Sequence, residues 1–223
     1  MKIATILHHI GRENPELFLK KLEEALLIDR ADVIIGPDYS LNYDLSRPNT
    51  LEERDAVFSQ IAEFCQDSEP LIIPGTMSYP LGEGMLHAAP VFRGGNLSLE
   101  FLKKRDNGES QLAERAGLTF IRGSNSGNRI SLDGLTFAVE ICGDHGTQDV
   151  RGCDVELILA YDKNAGFHVS AGNDGFARKA VVCDGYKPFA SAFDYDPARN
   201  PRLISIAGED ISLKSGKVRL FEV

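Results

Sequence analysis

The chain alternates short, wholly apolar runs with longer segments whose apolar residues recur at helical spacing. KIATIL (2–7) predicts a first strand. NPELFLKKLEEALLIDRA (14–31) follows, with Leu17, Leu19, Leu22, Leu26 and Leu27 at the three-and-four spacing of an amphipathic helix. Asn14 and Pro15 supply its N-cap and first helical residue. DVIIGPD (32–38) is an apolar run bounded by aspartates, the pattern of a strand buried on both faces, and Pro37 ends it. LEERDAVFSQIAEFCQD (51–67) predicts a second helix, with Val57, Ile61, Phe64 and Cys65 on one side. PLIIPGTMS (70–78) is another buried strand.

Beyond this point the period changes. GMLHAAPVFRGGNLSLEFLKK (84–104) predicts two strands around a Gly-Gly turn, and GNRISLDGLTFAVEICGD (127–144) repeats the form around Asp133-Gly134. CDVELILAYD (153–162) is one more buried strand. DGFARKAVVCDGY (174–186) reads as a helix, and PRLISIAG and KVRLFEV close the chain as β segments. Sheets covered by helices satisfy this order, so the class is α/β. Neither a linker nor a repeat divides the chain, and residues 1–223 are expected to form one domain.

Composition narrows the partners. Hydrophobic residues make up 43%, enough for a sizeable core, and the formal net charge is −9. An acidic chain whose largest basic cluster is KKR at 103–105 is a poor match for a nucleic-acid backbone. No apolar stretch of about 18 residues is present, so no membrane span is expected. The N-terminal MKIATILHHIG lacks the longer apolar region and cleavage site of a secretion signal. Four cysteines without CxxC spacing fit free thiols in a cytoplasmic protein and argue against a zinc site.

Three places then share a form. Asp38 follows VIIGP, Lys103 follows LSLEFL and Cys142 follows FAVEI, each a polar residue where an apolar strand ends. Strand ends of α/β sheets gather along one edge, where sites lie. A carboxylate that takes the thiol proton and an ammonium that steadies thiolate and oxyanion make a cysteine a nucleophile. Lys103 is preferred to Lys104 because Leu97, Leu99, Phe101 and Lys103 share one strand face.

These segments, in this order, resemble the nitrilase or carbon–nitrogen hydrolase superfamily, whose members place a Glu–Lys–Cys triad at strand ends. ADVIIGPDYSLNYDL is similar to the segment of the family's glutamate, GMLHAAPVFRGGNLSLEFLKK to its lysine hairpin, and GLTFAVEICGD to its cysteine segment, with Asp144 two residues after the nucleophile. The likeness covers most of residues 1–185. It implies a four-layer α-β-β-α sandwich and hydrolysis of a carbon–nitrogen bond in a small amide, carbamoyl or nitrile substrate. Asp38, Lys103 and Cys142 would carry the reaction, and Gly143 would offer its N–H to the oxyanion. Neither cofactor nor metal is needed, and the family's pairing implies a homodimer. Glu114 stands for an additional glutamate that many members carry, with Glu109 as the alternative.

Three features depart from the family pattern. The glutamate is Asp38 here, shorter by one methylene or roughly 1.5 Å, and a misplacement of about 1 Å costs on the order of a hundredfold in rate. His87 replaces the usual asparagine, and the chain after Asp194 is abbreviated. Two readings follow from Asp38: a hydrolase, or a nitrilase-fold protein that binds a ligand or partner with little turnover. A Cys–His hydrolase using His145 or His168 is a third. Cys65 and Cys183 read as core thiols, Cys153 as a residue that could be exposed, and Glu140 as a strand residue on the side of Cys142.

Overall fold

The computed structural model of the protein describes residues 1–28, 30–124, 128–145, 152–162, 179–196 and 202–223. The first half runs β1 (Lys2–Leu7), α1 (Pro15–Leu26), β2 (Val33–Ile35), α2 (Leu51–Phe64), β3 (Leu71–Ile73), β4 (Met77–Leu81), β5 (Gly84–Arg93) and β6 (Asn96–Leu102). Then come α3 (Glu109–Arg115), β7 (Thr119–Phe120), β8 (Arg129–Leu132), β9 (Leu135–Ile141) and a 3-10 turn over Cys142–Asp144. The chain closes with β10 (Val155–Ala160), β11 (Lys179–Asp184), β12 (Phe189–Asp196), β13 (Arg202–Ile206), β14 (Gly208–Ser212) and β15 (Lys217–Glu222).

The strands form two sheets. The first has the order β14-β15-β1-β2-β3-β5-β4, with β6 and β7 also paired to β5, and the second the order β13-β12-β11-β10-β9-β8. β1, β2 and β3 run parallel, as do β9, β10 and β11. Of these, β2, β3 and β10 are the segments that read as buried strands, because a parallel strand inside a sandwich is buried on both faces. Val33, Ile35, Ile73 and Phe101 of the first sheet meet Phe137, Val139, Ile141 and Leu157 of the second in the core between the sheets.

The first sheet's other face packs on α1 and α2. Phe18, Leu19 and Leu22 of α1 and Val57 and Ile61 of α2 meet Ile6, Ile34 and Ile72. Asn14 caps α1 by accepting from Leu17 N, and Thr50 and Glu53 form a capping box on α2. The buried stripe of α1 runs through Phe18 rather than Leu17, and Leu27 lies beyond the helix end at 79% exposure. The second sheet's outer face carries Ile158, Ala160 and Val182, all fully buried, so this sheet is an inner layer of the sandwich.

Two expectations change. The segment expected as a helix at 174–186 is a strand from Lys179 to Asp184, parallel to β10; residues 174–178 lie outside the described residues. KAVVCD is β-branched at its centre and buried over Val181–Asp184, which suits a central strand better than its helical spacing suited a helix. Cys153 is buried, not exposed. Among the described residues no helix is long and apolar enough to cross a membrane.

Candidate active site

Asp38, Lys103 and Cys142 line one cavity of about 580 Å³, together with Tyr39, Asn107, Glu109, Tyr161 and Tyr186. Asp38 comes from the end of β2, Lys103 from the end of β6, and Cys142 from the end of β9. Asp38 N donates to Ala160 O at 3.3 Å, which ties the first sheet to the end of β10 in the second. Gly75 (φ +96°) allows the close approach of the next loop: a Cβ there would overlap the Ser40 hydroxyl and the Pro37 carbonyl.

The Asp38 carboxylate is fully buried. Its Oδ1 accepts from Thr76 Oγ1 at 2.5 Å and from His87 Nε2 at 2.7 Å. Among the described residues its Oδ2 has no hydrogen-bond partner, and it lies 3.7 Å from Lys103 Nζ. Burial opposes ionisation, but Lys103 and His87 outweigh it and hold the carboxyl down at about 2. Near neutral pH Asp38 is therefore an anion with one oxygen saturated and the other open toward the ammonium.

Lys103 is almost wholly buried, and its Nζ sits 2.8 Å from Glu109 Oε1. Burial disfavours the ammonium, yet Asp38 and Glu109 more than compensate and keep it charged. Glu109 also accepts from Tyr39 OH at 2.9 Å and from Asn107 N at 2.6 Å. It fills the place assigned in sequence to Glu114. Glu114 is on the exposed face of α3 and is not brought to the cavity, whereas Glu109, the first residue of that helix, is 1% exposed. The sequence carried a signal for this: Glu109 opens the helix directly after the lysine loop, where a carboxylate also favours the helix N-terminus. Lys104, by contrast, is not among the residues lining the cavity.

Cys142 has φ +48°, and Tyr39, next to Asp38, has φ +63°. Asp133, in a Gly-containing hairpin turn, is the third non-glycine residue with positive φ among the described residues. The two at the cavity mark stored backbone strain. The left-handed conformation also reorients the nucleophile. Strand alternation would send Cys142 to the side of Glu140, away from the core residue Ile141. Instead the chain turns at Cys142 and the thiol meets the cavity, so Glu140 does not share its side. The Sγ lies 3.9 Å from Tyr161 O.

Burial first, and then Asp38, push the Cys142 thiol up to about 12; Lys103 pulls the other way without prevailing. Cys142 thus rests as a thiol. The expectation that the lysine would hold a thiolate is met in direction and not in size.

Asp144 fixes the turn. Its carboxylate accepts from Lys104 N at 3.0 Å and Arg105 N at 2.7 Å, so the residue two beyond the cysteine anchors the backbone just after Lys103. At Gly143 a Cβ would overlap the Asn107 amide. With that amide turned so its oxygen meets the donor, Gly143 N donates to it at 3.3 Å while its nitrogen donates to Asp106 O at 3.0 Å. The N–H assigned to an oxyanion is thus occupied by a side chain.

His145 is held elsewhere: its Nδ1 lies 2.9 Å from Glu140 Oε2 and 2.6 Å from Glu156 Oε1. His168 lies outside the described residues. His8 packs edge-on against Phe18 near Glu13, away from the cavity.

No known family model matches the sequence, and no curated protein matches it. Solved structures do match. A nitrilase-superfamily amidase from Nesterenkonia sp. AN1, with cysteine changed to alanine, superposes with a TM-score of 0.71 at 15% identity, covering 100% of this chain and 90% of that one. The same amidase with glutamate changed to glutamine, showing the result of Michael addition of acrylamide at its active-site cysteine, gives 0.69 at 16% identity over 100% and 93%. Its cysteine-to-alanine variant in complex with butyramide gives 0.70 at 16% identity over 100% and 90%. The fold is therefore the nitrilase-type α/β sandwich.

Proposed function

We propose that this nitrilase-fold chain hydrolyses the carbon–nitrogen bond of a small amide through Cys142. The observation that carries the reading is one cavity lined by a thiol, a buried ammonium and a buried carboxylate with an open oxygen. The amidase likeness supports the amide over the nitrile or carbamoyl alternatives.

In this reading Asp38 Oδ2 takes the thiol proton as Cys142 Sγ bonds to the carbonyl carbon, since the thiol does not ionise beforehand. The carbonyl π electrons move to oxygen, where Lys103 Nζ and Gly143 N–H, once Asn107 gives way, steady the charge. The tetrahedral species collapses, the carbon–nitrogen bond breaks, and the amine leaves with the proton from Asp38. Water then attacks the thioester, gives a proton to Asp38, and the acid departs as the thiol is restored. Glu109 keeps Lys103 in place. Butyramide and acetamide incubated with the protein should release ammonia, and Cys142→Ala should release none. Absence of ammonia from all short amides and nitriles, with Cys142 still open to alkylation, sinks the hydrolase.

That last outcome favours the second reading, a ligand-binding protein with little turnover. The burial of Cys142 beside Asp38, which raises its thiol pKa, and the occupied Gly143 N–H are on its side. A homodimer belongs to the same proposal, and sedimentation as a monomer at micromolar concentration overturns it.

A further inference from the structure

We infer that His87 is a positioning residue for Asp38, and that the two side chains work as one interdependent unit. His87 is fully buried on β5, opposite Ser78 of β4. Nε2 lies 2.7 Å from Asp38 Oδ1 and 3.0 Å from Thr76 Oγ1, and Nδ1 lies 2.7 Å from Ser78 Oγ. The Tyr39 ring lies against the imidazole, with centroids 4.5 Å apart. The His87 carbonyl accepts from Lys103 N at 2.9 Å. One residue thus holds the carboxylate through its ring and the lysine through its backbone.

The consequence is directional. A carboxylate one methylene short of a glutamate needs something to stop it rotating away from the cavity. Nε2–H and the Thr76 hydroxyl saturate Oδ1, which leaves Oδ2 as the acceptor beside Lys103. The imidazole also fills the volume that a longer acid would enter. Asp38→Glu then pushes a buried carboxylate against a ring already at hydrogen-bond distance. The longer acid has room only when the residue at 87 is shorter.

This rests on reading Asp38 as the base, and the experiment separates the two. The probe is acrylamide, in whose addition the sulfur bonds to the terminal alkene carbon while the thiol proton passes through the base to the carbon beside the carbonyl. Labelling of Cys142 is followed by mass spectrometry for the parent, D38N, H87Q, H87N, D38E and D38E/H87N, with melting curves for each. His87→Gln keeps a donor near the Nε2 position and should stay within about threefold of the parent, a fraction of one hydrogen bond. His87→Asn ends short of Asp38 and should slow labelling about tenfold or more, the effect of losing a charge-assisted hydrogen bond. D38E should be slow, and D38E/H87N faster than either single variant. Slowing of D38N with strictly multiplicative effects in the double variant, or with H87N equal to the parent, overturns the His87 inference alone. Labelling of D38N equal to the parent overturns both it and the base assignment. If H87N melts lower but labels at the parent rate while folded, its role is structural and the inference fails.

Discussion

Two clusters of buried charge lie at the ends of this sandwich's strands, built from nearly the same materials. Around Lys103 stand Asp38 and Glu109; around His145 stand Glu140 and Glu156. Each has two carboxylates around one nitrogen base, and His87 also stands beside Asp38 in the first. In the first, the lysine and His87 outweigh burial and the carboxyls are held down, Asp38 to about 2. In the second, burial and the neighbouring acid raise Glu140 to about 8, while the two carboxylates, against burial, lift His145 to about 9. The first therefore holds fixed charges near neutral pH, and the second holds protons. The first also borders a cavity with a thiol; none of the second cluster's residues lines that cavity. Burial of charge is thus common to a candidate catalytic centre and to an internal clamp. Access to the cavity tells them apart.

The comparison can be broken most sharply at its cations. Lys103→Met leaves Asp38 and Glu109 buried without their cation and should cost about 3–5 kcal/mol. Its melting temperature should fall furthest of any single change here, and Cys142 labelling should be lost. Lys104→Met should leave labelling within about twofold, as expected of a change outside the cavity. Equal losses in the two variants would remove the distinction.

Asp38→Asn comes next. Loss of a general base should slow labelling about 10²- to 10⁴-fold, while Thr76 and His87 still find partners and the melting temperature moves little. Asp38 contributes stability that is present above its unfolded value and lost only as pH falls toward about 2. Acid in the range of pH 4–6 should therefore leave this cluster intact, which a melting series from pH 7 to 4 checks.

The second cluster should respond in the opposite direction. The folded state holds protons on His145 and Glu140 that the unfolded state releases earlier. Stability from His145 is complete below its unfolded value of 6.5 and is lost as pH rises through about 9. Glu140 adds to the same decline as pH rises toward about 8. The slope is at most about 1.4 kcal/mol per pH unit per proton. Lys104 also faces Glu140 and opposes part of the effect. Glu156→Gln should flatten the fall of melting temperature between pH 6.5 and 9 while Cys142 labelling at pH 7 stays near the parent rate. A labelling rate that followed this titration would make the clamp part of the site.

The smallest effect concerns the loop joining the two regions. Asn107→Ala frees the Gly143 N–H, and acrylamide labelling should rise by about fivefold, one hydrogen bond's worth. Iodoacetamide, whose displacement puts no charge on a carbonyl oxygen, should show no such rise.

Much of this was legible in the chain. VII and LII read as buried strands because parallel strands inside a sandwich have no polar face, and the alternation of Leu99, Phe101 and Lys103 picked the lysine that lines the cavity. The choice between Glu109 and Glu114 was legible only as a hint from Glu109's place at the helix start: both lie on α3, and which side of a seven-residue helix meets the cavity depends on what packs against it. Nor was Glu140, because alternation fails where φ turns positive. Lys179–Asp184 misled because a short apolar run fits helix and strand equally until its neighbours are known.

By itself the sequence determined the class, the three strand-end positions and their likeness to a known order of motifs, since these depend on local periodicity and on residue type. Tertiary structure alone decided which acid faces Lys103, that Cys142 rests as a thiol, and that Asp38 keeps one oxygen open. Those outcomes depend on distances between strands of different sheets and on burial. Coulomb attraction and desolvation act through space, and their balance is set only when Asp38, His87, Lys103 and Glu109 are brought together.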